Sequence, residues 1–524
     1  MATGEMDHKS SFAINNPTYA DGMIFVGLAD GTVQAFNAET LESLWIYHDA
    51  LKGQPNCPIV YRDGYLYTGF WLGETTKANY VCLSATDEDP SSPLEEKLPV
   101  WTYTQKGGFY WAGAYASDNY LIVGTDDGES GYTAGYAEIL SLNPTDGTAI
   151  DSLTLSETGD QRSALTFVPD GDGAGKCYFT TKGGYFYQLA VQADGSFGAL
   201  RALKLYNYAD DAANPAMSTC TPVIYNGRAY IGVSGTAQFG AYSGHNITVI
   251  DIPTWDIAYT VRTQGYPQTS GLLTTAYEAE TGYVNVYFFD NYTPGKLRML
   301  RDRPGMTAPE ITSAESYLYN GTELSYDTAY TIFTPYGEQA QYAICSPITD
   351  EYGTIYFKND SAHLMALGSA ITKLEITTPP EKTNYAAGET FDPAGMTVTA
   401  QYANGTVRDV TAYVTWSKEP LTADDTEFQI FFPYVMYQDK NGQPGSKVEE
   451  PFVILQLTVT GDIVPGDVNM DGVVDNKDLT DLLRHVAKIE SLPEKAITMA
   501  DMDHNGTVDA GDVTALAKML TKSK

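Results

Sequence analysis

Histidine and cysteine are scarce, six and five among 524 residues. The histidines His8, His48, His245, His363, His485 and His504 fall in neither metal-ligand nor catalytic-triad spacing. No Gly-x-Ser-x-Gly joins a strand to a helix, and no glycine-rich phosphate loop occurs. The cysteines (Cys57, Cys82, Cys177, Cys220 and Cys345) are odd in number and scattered. That argues against a disulfide framework and for buried free thiols. Basic residues are few, 31 against 66 acidic, for a net charge of −35. So acidic a chain is a poor partner for nucleic acid or an anionic membrane. No apolar run approaches the 18 residues that a membrane-spanning helix needs. Residues 1–8 contain no apolar stretch, so an exported chain is expected to have carried its leader ahead of Met1.

What is present is repetition. A small residue, a short aromatic or β-branched strand, an Asp-Gly or Asn-Gly turn and a second apolar strand recur from Pro17, Pro58, Ala114, Leu165, Pro222, Leu272 and Pro347, at intervals of 41 to 75 residues. Helical periodicity is missing from this part. Short antiparallel strands at such spacing predict a radial repeat of about seven blades over residues 1–368, with short protected edges. The last copy is short of four strands, and residues 11–14 are expected to supply the missing one and close the ring. Residues 20–45, which run Ala20-Asp-Gly-Met-Ile-Phe-Val-Gly through Asp30-Gly-Thr-Val-Gln-Ala-Phe36 to Trp45, resemble the pyrroloquinoline-quinone-like β-propeller repeat. The resemblance implies the fold and carries no quinone.

Near the C-terminus two stretches are near copies 34 residues apart. The first offers oxygens from Asp467, Asn469, Asp471, Asp475 and Asp478 with a glycine, Gly472, at its sixth position. The second offers Asp501, Asp503, Asn505, Asp509 and Asp512 with Gly506 at the same place. Val473 and Thr507 stand where a backbone carbonyl completes the set. This is calcium-loop spacing: alternate side chains aim at one point, and a hard cation wants six to eight oxygens. Two ions are therefore expected. Apolar residues at helical spacing follow each loop: Leu479, Leu482, Leu483, Val486 and Ile489, then Val513, Leu516, Ala517 and Leu520. No helix pattern precedes the first loop, where Pro465 interrupts an extended segment. Each unit is loop-then-helix, unlike an EF-hand.

These features, with the opening Gly466-Asp-Val-Asn469, closely resemble a type I dockerin over residues 466–522. The resemblance implies an extracellular, secreted or cell-surface protein of a cellulosome-like assembly, with the cohesin domain of a scaffold protein as partner. It implies cohesin contacts at Asn476, Lys477, Leu483 and Arg484 in one copy and at Ala510, Gly511, Ala517 and Lys518 in the other. The dockerin is expected to occupy 462–524. Residues 369–461, with the stretch Gly388-Glu-Thr-Phe-Asp-Pro-Ala-Gly-Met-Thr-Val398 and an Asn404-Gly405 hairpin turn, resemble a bacterial immunoglobulin-like sandwich, and 458–465 link it to the dockerin. The fold class is thus mainly β with a small α-helical tail.

For the propeller the motifs assign no catalytic residue. The pairs Asp126-Asp127 and Asp210-Asp211 are read as solvated turns, the first between Gly124 and Gly128, rather than as the facing carboxylates of a glycosidase. Trp71, Tyr110 and Trp111 lie between glycines, and flat rings suit the apolar faces of sugars. Asn15, Asn16, Gln54, Gln161, Arg162, Asn214, Gln268, Thr269, Gln341 and Tyr342 are placed on the same rim. Binding of a polysaccharide or of another protein, without catalysis, is expected, with a purely structural role in the assembly as a third possibility. The alternative is a carbohydrate-active enzyme, a hydrolase or a lyase.

Overall fold

The computed structural model describes residues 16–208, 216–237, 239–422, 425–433, 435–438, 444–460, 464–470 and 473–522. The chain divides into two compact units, 1–366 and 367–524.

Among the described residues the first unit is a succession of seven small antiparallel sheets. Their first strands are Thr18–Ala20, Val60–Arg62, Tyr115–Ala116, Thr166–Gly171, Val223–Tyr225, Leu272–Thr274 and Ile348–Thr349. Each is followed by two or three further strands in sequence order. In blades one, two, four and five the first turn is an X-Gly pair with both residues at positive φ, as at Asp21 (50°) and Gly22 (75°) or Asn226 (45°) and Gly227 (75°). Such primed turns match the right-handed twist of the strands they join, which is why Asp-Gly and Asn-Gly recur there. In blades one to six the second and third strands are largely buried on both faces, since blades pack on either side, whereas the third strand of blade seven, Leu364–Leu367, is half exposed. Phe25, Trp45, Leu66 and Phe70 fill the space between blades one and two, and Tyr80, Phe109, Leu121 and Val123 that between two and three.

Hydrogen bonds link consecutive blades. Thr18 Oγ1 donates to the Ile59 carbonyl (2.7 Å) and Thr166 Oγ1 to that of Pro222 (2.6 Å). Trp101 Nε1 donates to the Pro144 carbonyl (2.8 Å). Two junctions are also paired through the backbone. Glu95–Glu96, from a loop of blade two, pairs with Trp45 and Ile46 of blade one. The long hairpin Thr312–Tyr319 and Thr322–Phe333 pairs with the last strand of blade five and the third strand of blade six, merging the two into one sheet. The sequence pattern did not announce this hairpin. Blade seven has three described strands; residues 11–14, expected to close it, lie outside the described residues. All five cysteines are free, and four are buried, where burial pushes their thiols up, Cys82 and Cys220 to about 12. Cys345 is half-buried.

The second unit opens with a β-sandwich. Ile371–Thr378 pairs with Thr397–Tyr402, which pairs with Val407–Asp409; Glu427–Phe431 pairs with Phe452–Gln456. Leu374, Val398, Phe428, Ile430 and Leu455 meet inside. Three helices follow, Asn476–Val486, Glu494–Ala500 and Ala510–Lys522. Val468, Leu482, Ala496, Ala500 and Leu516 form their core. The outer two are the predicted loop-then-helix units, and Leu482 and Leu516, 34 residues apart, pack at equivalent places. The middle helix was not expected. The first helix also ends earlier than its apolar spacing predicts: Ile489 lies beyond it and is 71% exposed.

Candidate calcium loops and an axial cavity

In the second loop, carboxylate oxygens of Asp501, Asp503 and Asp512 lie within 4.8 Å of one another. Asp512 is fully buried, and its oxygens accept the backbone N–H of Met502 (2.8 Å), Asp503 (3.2 Å) and Asp509 (2.7 Å). Asp501 accepts Gly506 N–H (2.9 Å), and Gly506 adopts φ +84°, a turn that glycine makes without strain. Asn505 Oδ1 accepts the amide of Thr507 (2.8 Å), and Asp509 Oδ1 that of Gly511 (2.6 Å). The first loop repeats the scheme. Buried Asp478 accepts the amides of Asn469 (3.0 Å) and Asp475 (2.8 Å), and Asp475 in turn caps the helix through Lys477 N–H (2.6 Å). Asp467 is buried beside it, and Val473 is exposed. Asp471 and Gly472 fall outside the described residues.

Converging carboxylates repel one another, by about 1 kcal/mol per pair at 4 Å even in bulk water and by more at a protein's lower dielectric. Among the described residues no lysine or arginine pairs with Asp501, Asp503 or Asp512. An all-oxygen donor set with this charge fits calcium. Of the expected cohesin contacts, Asn476, Lys477, Leu483, Arg484, Ala510, Gly511 and Lys518 are exposed and Ala517 is half-buried. Leu483, 48% exposed, points away from the core that its helical spacing suggested.

The first unit contains a cavity of about 670 Å³ to which every blade contributes. Asn16, Pro58, Ala164, Thr221, Ser270 and Ser346 line it, each two residues before the first strand of its blade. Gly113 holds the seventh such position. A Cβ there would meet the Ala164 Cβ at 2.7 Å and the Pro58 Cγ at 3.3 Å. The cavity therefore lies on the axis that the blades share.

Of the rim residues expected from the sequence, Asn16, Arg162, Gln268, Thr269 and Tyr342 line this cavity, as do Tyr110 and Trp111. Gln54, Gln161 and Gln341 do not, and Asn15 and Asn214 are outside the described residues. Trp71 stands behind the wall, its ring edge-on to Tyr110 with centroids 4.9 Å apart; Tyr110 in turn lies 4.7 Å from Trp111. Asn56, Phe239, Asn291 and Asn359 also line the cavity and were missed. Asn56 had a signal, because it precedes Cys57-Pro58 much as Asn16 precedes Pro17.

The structure corrects the reading of Asp126 as part of a solvated turn. Its carboxylate is buried and held by Arg162 from Nε (2.8 Å) and Nη2 (2.5 Å) and by Trp71 Nε1 (3.0 Å). Asp127 does make turn contacts, accepting the amides of Glu129 and Gly135. Asp160, also buried, lies 3.0 Å from Arg162 Nη2. Burial, reinforced by Asp126, pushes Asp160 up to about 8, and burial, reinforced by Arg162, brings Lys182 down to about 8. Lys182 Nζ sits 3.4 Å from the centre of the Tyr132 ring. This cluster ties blades two, three and four together behind the aromatic wall. Asp210 and Asp211 are outside the described residues.

Residues 465–521 match the dockerin type I domain, and residues 378–427 match the bacterial Ig-like domain, group 3, a narrower span than the likeness expected over 369–461. Among solved structures, BamB from Moraxella catarrhalis is 13% identical at a TM-score of 0.41, over 76% of this chain and 96% of that one. The quinohemoprotein alcohol dehydrogenase ADHIIG from Pseudomonas putida HK5 is 14% identical at 0.42, over 66% and 62%. A europium-containing methanol dehydrogenase is 10% identical at 0.45, over 66% and 73%. No curated protein matches the chain. No described helix is long and apolar enough to cross a membrane. Type I dockerins bind calcium, and their partner is a cohesin. The chain thus joins a β-propeller to a bacterial Ig-like domain and a type I dockerin.

Proposed function

We propose that this chain is a non-catalytic, extracellular subunit of a cohesin–dockerin assembly, with a propeller (1–368) that holds polysaccharide, an Ig-like spacer (369–461) and a dockerin (462–524) that docks to a scaffold. The observation that carries this reading is the convergence of Asp501, Asp503 and Asp512 within 4.8 Å without a basic partner. Calcium supplies the missing positive charge there. The 34-residue repeat places a second ion among Asp467, Asn469, Asp471, Asp475 and Asp478. Asp478 and Asp512 fix each loop to the first turn of the helix that follows, so the exposed Asn476, Leu483 and Arg484, and their counterparts in the second copy, keep one orientation. A domain with so small a core gains much of its folding free energy from its metal. Tyr110 and Trp111, backed by Trp71, supply flat rings where a sugar can stack.

With the full-length chain and a cohesin from a scaffold of the same assembly, binding is expected in millimolar calcium and is expected to be lost in excess EDTA. Affinity unchanged by the chelator would discard the calcium-dependent mechanism. In parallel, Trp111→Ala should release the protein from a polysaccharide that retains the parent chain. Release of reducing sugar from that polysaccharide would favour the enzyme instead.

A further inference from the structure

The axial cavity combines three features that point to a ligand. The first is an orphaned acceptor. Asn56 lines the cavity at 1% exposure; its Nδ2 donates to Gln54 Oε1 (3.2 Å), but its Oδ1 has no partner. A buried acceptor left unsatisfied costs about 1–3 kcal/mol, so the unpaired oxygen of a cavity-lining residue calls for a donor from that cavity, a water or a ligand hydroxyl. The second is Arg162. Its Nε and Nη2 are committed to Asp126, while its Nη1 makes no hydrogen bond within the described residues. With its charge offset by Asp126, Arg162 offers N–H donors to the cavity rather than a bare cation. The third is a rim of rings, Trp111 from the entry to blade three, Phe239 from blade five and Tyr342 from the entry to blade seven. Phe239 is 60% exposed at that rim.

Together these features call for a ligand that donates hydroxyls, accepts N–H and presents apolar faces, the surface of a sugar. A net charge of −35 disfavours polyanions, so the glycan is neutral. The geometry adds a constraint. A cavity walled by all seven blades cannot admit the middle of a polymer lying across it; a chain must enter along the axis. A volume of about 670 Å³ lies within the range of small-ligand sites and suits a short terminal segment. We propose that the propeller captures the end of a neutral polysaccharide chain, with Asn56 Oδ1 accepting a hydroxyl of the inserted terminus, Arg162 donating to a sugar oxygen, and Phe239, Trp111 and Tyr342 stacking on the units that follow. This rests on the polysaccharide-binding reading above and names its site and mode.

The test is calorimetric titration of the full chain, in calcium, with neutral tetrasaccharides of the β-glucan, α-glucan, xylan and mannan types and with polygalacturonate. One neutral oligosaccharide should bind. Asn56→Ala should weaken it about tenfold, as expected for one lost hydrogen bond to a buried group, and Phe239→Ala should weaken it several-fold. Phe239 is exposed, so its variant separates loss of binding from loss of fold, and the melting temperature of Phe239→Ala should stay at the parent value. Partial hydrolysis of the matching insoluble polysaccharide, which multiplies chain ends, should raise the protein retained per gram. If both variants bind as the parent does, or retention ignores the number of ends, axial capture is wrong while glycan binding stands. If only polygalacturonate binds, the neutral class is wrong. If no glycan binds at all, the reading beneath falls as well.

Discussion

The propeller and the dockerin both bury carboxylates, but in opposite company. In the propeller four of the five buried acids among the described residues meet a base, and the fifth, Asp49, accepts backbone amides and the Asn79 side chain. Asp126 faces Arg162, and Asp290 faces Arg298, at 2.6 Å with both side chains fully buried. In the dockerin the acids meet one another and backbone amides, with no described base at Asp501, Asp503 and Asp512. The first arrangement is electrically complete, because the desolvation of each charge is offset by its partner. The second is complete only when a cation arrives. The same residue type is a structural staple in one unit and half of a binding site in the other, and its neighbours decide which.

Removing calcium is the bluntest way to expose that contrast. Calorimetry of the whole chain in EDTA should show the dockerin's transition lost or displaced by tens of degrees, with the propeller's transition in place. A propeller that melts with it would mean that the two units are not energetically separate. Next in size, Asp126→Ala takes from buried Arg162 the carboxylate that holds both its Nε and its Nη2, leaving Asp160 beside it. It should cost the propeller about 3–5 kcal/mol in guanidinium unfolding, the usual consequence of breaking a buried ion pair, and should leave calcium dependence untouched. A loss below 1 kcal/mol would show that the pair is no staple.

The smallest effect concerns pH. Burial raises Asp160 from the usual carboxylate range to about 8, so between those values the folded propeller holds a proton that the unfolded chain releases. That contribution to stability is fully present below pH 4 and is lost as pH rises through 8. Asp160→Asn should therefore gain on the parent as pH climbs from 5 to 9, read as the difference between the two melting temperatures. A difference constant across that range would sink the assignment.

The calcium loops were legible because their chemistry is local: five oxygens and a glycine within twelve residues specify the turn, the donors and the helix that follows. The blades were legible for a similar reason, since a short turn between apolar strands is a short-range signal, and in four blades it is the same X-Gly pair. Asp126 was misread because its partner stands 36 residues away and meets it only once blades three and four are side by side. Phe239 and Asn291 lie in connections whose sequences share nothing with the blade repeat, so no period marks them. The helix Glu494–Ala500 is two turns long, too short for an amphipathic stripe to stand out.

One detail of the propeller bears on how it would respond to load. Backbone pairing stitches blade one to blade two through Glu95–Glu96 and blade five to blade six through the hairpin 312–333, whereas the described contacts at the remaining seams are side-chain packing and isolated hydrogen bonds. If the chain is tethered at its tail and grips a polymer on its axis, as proposed, it is pulled from both ends. Under such tension the ring would part along an unstitched seam, and each stitched pair, two of the seven blades, would travel as one rigid body.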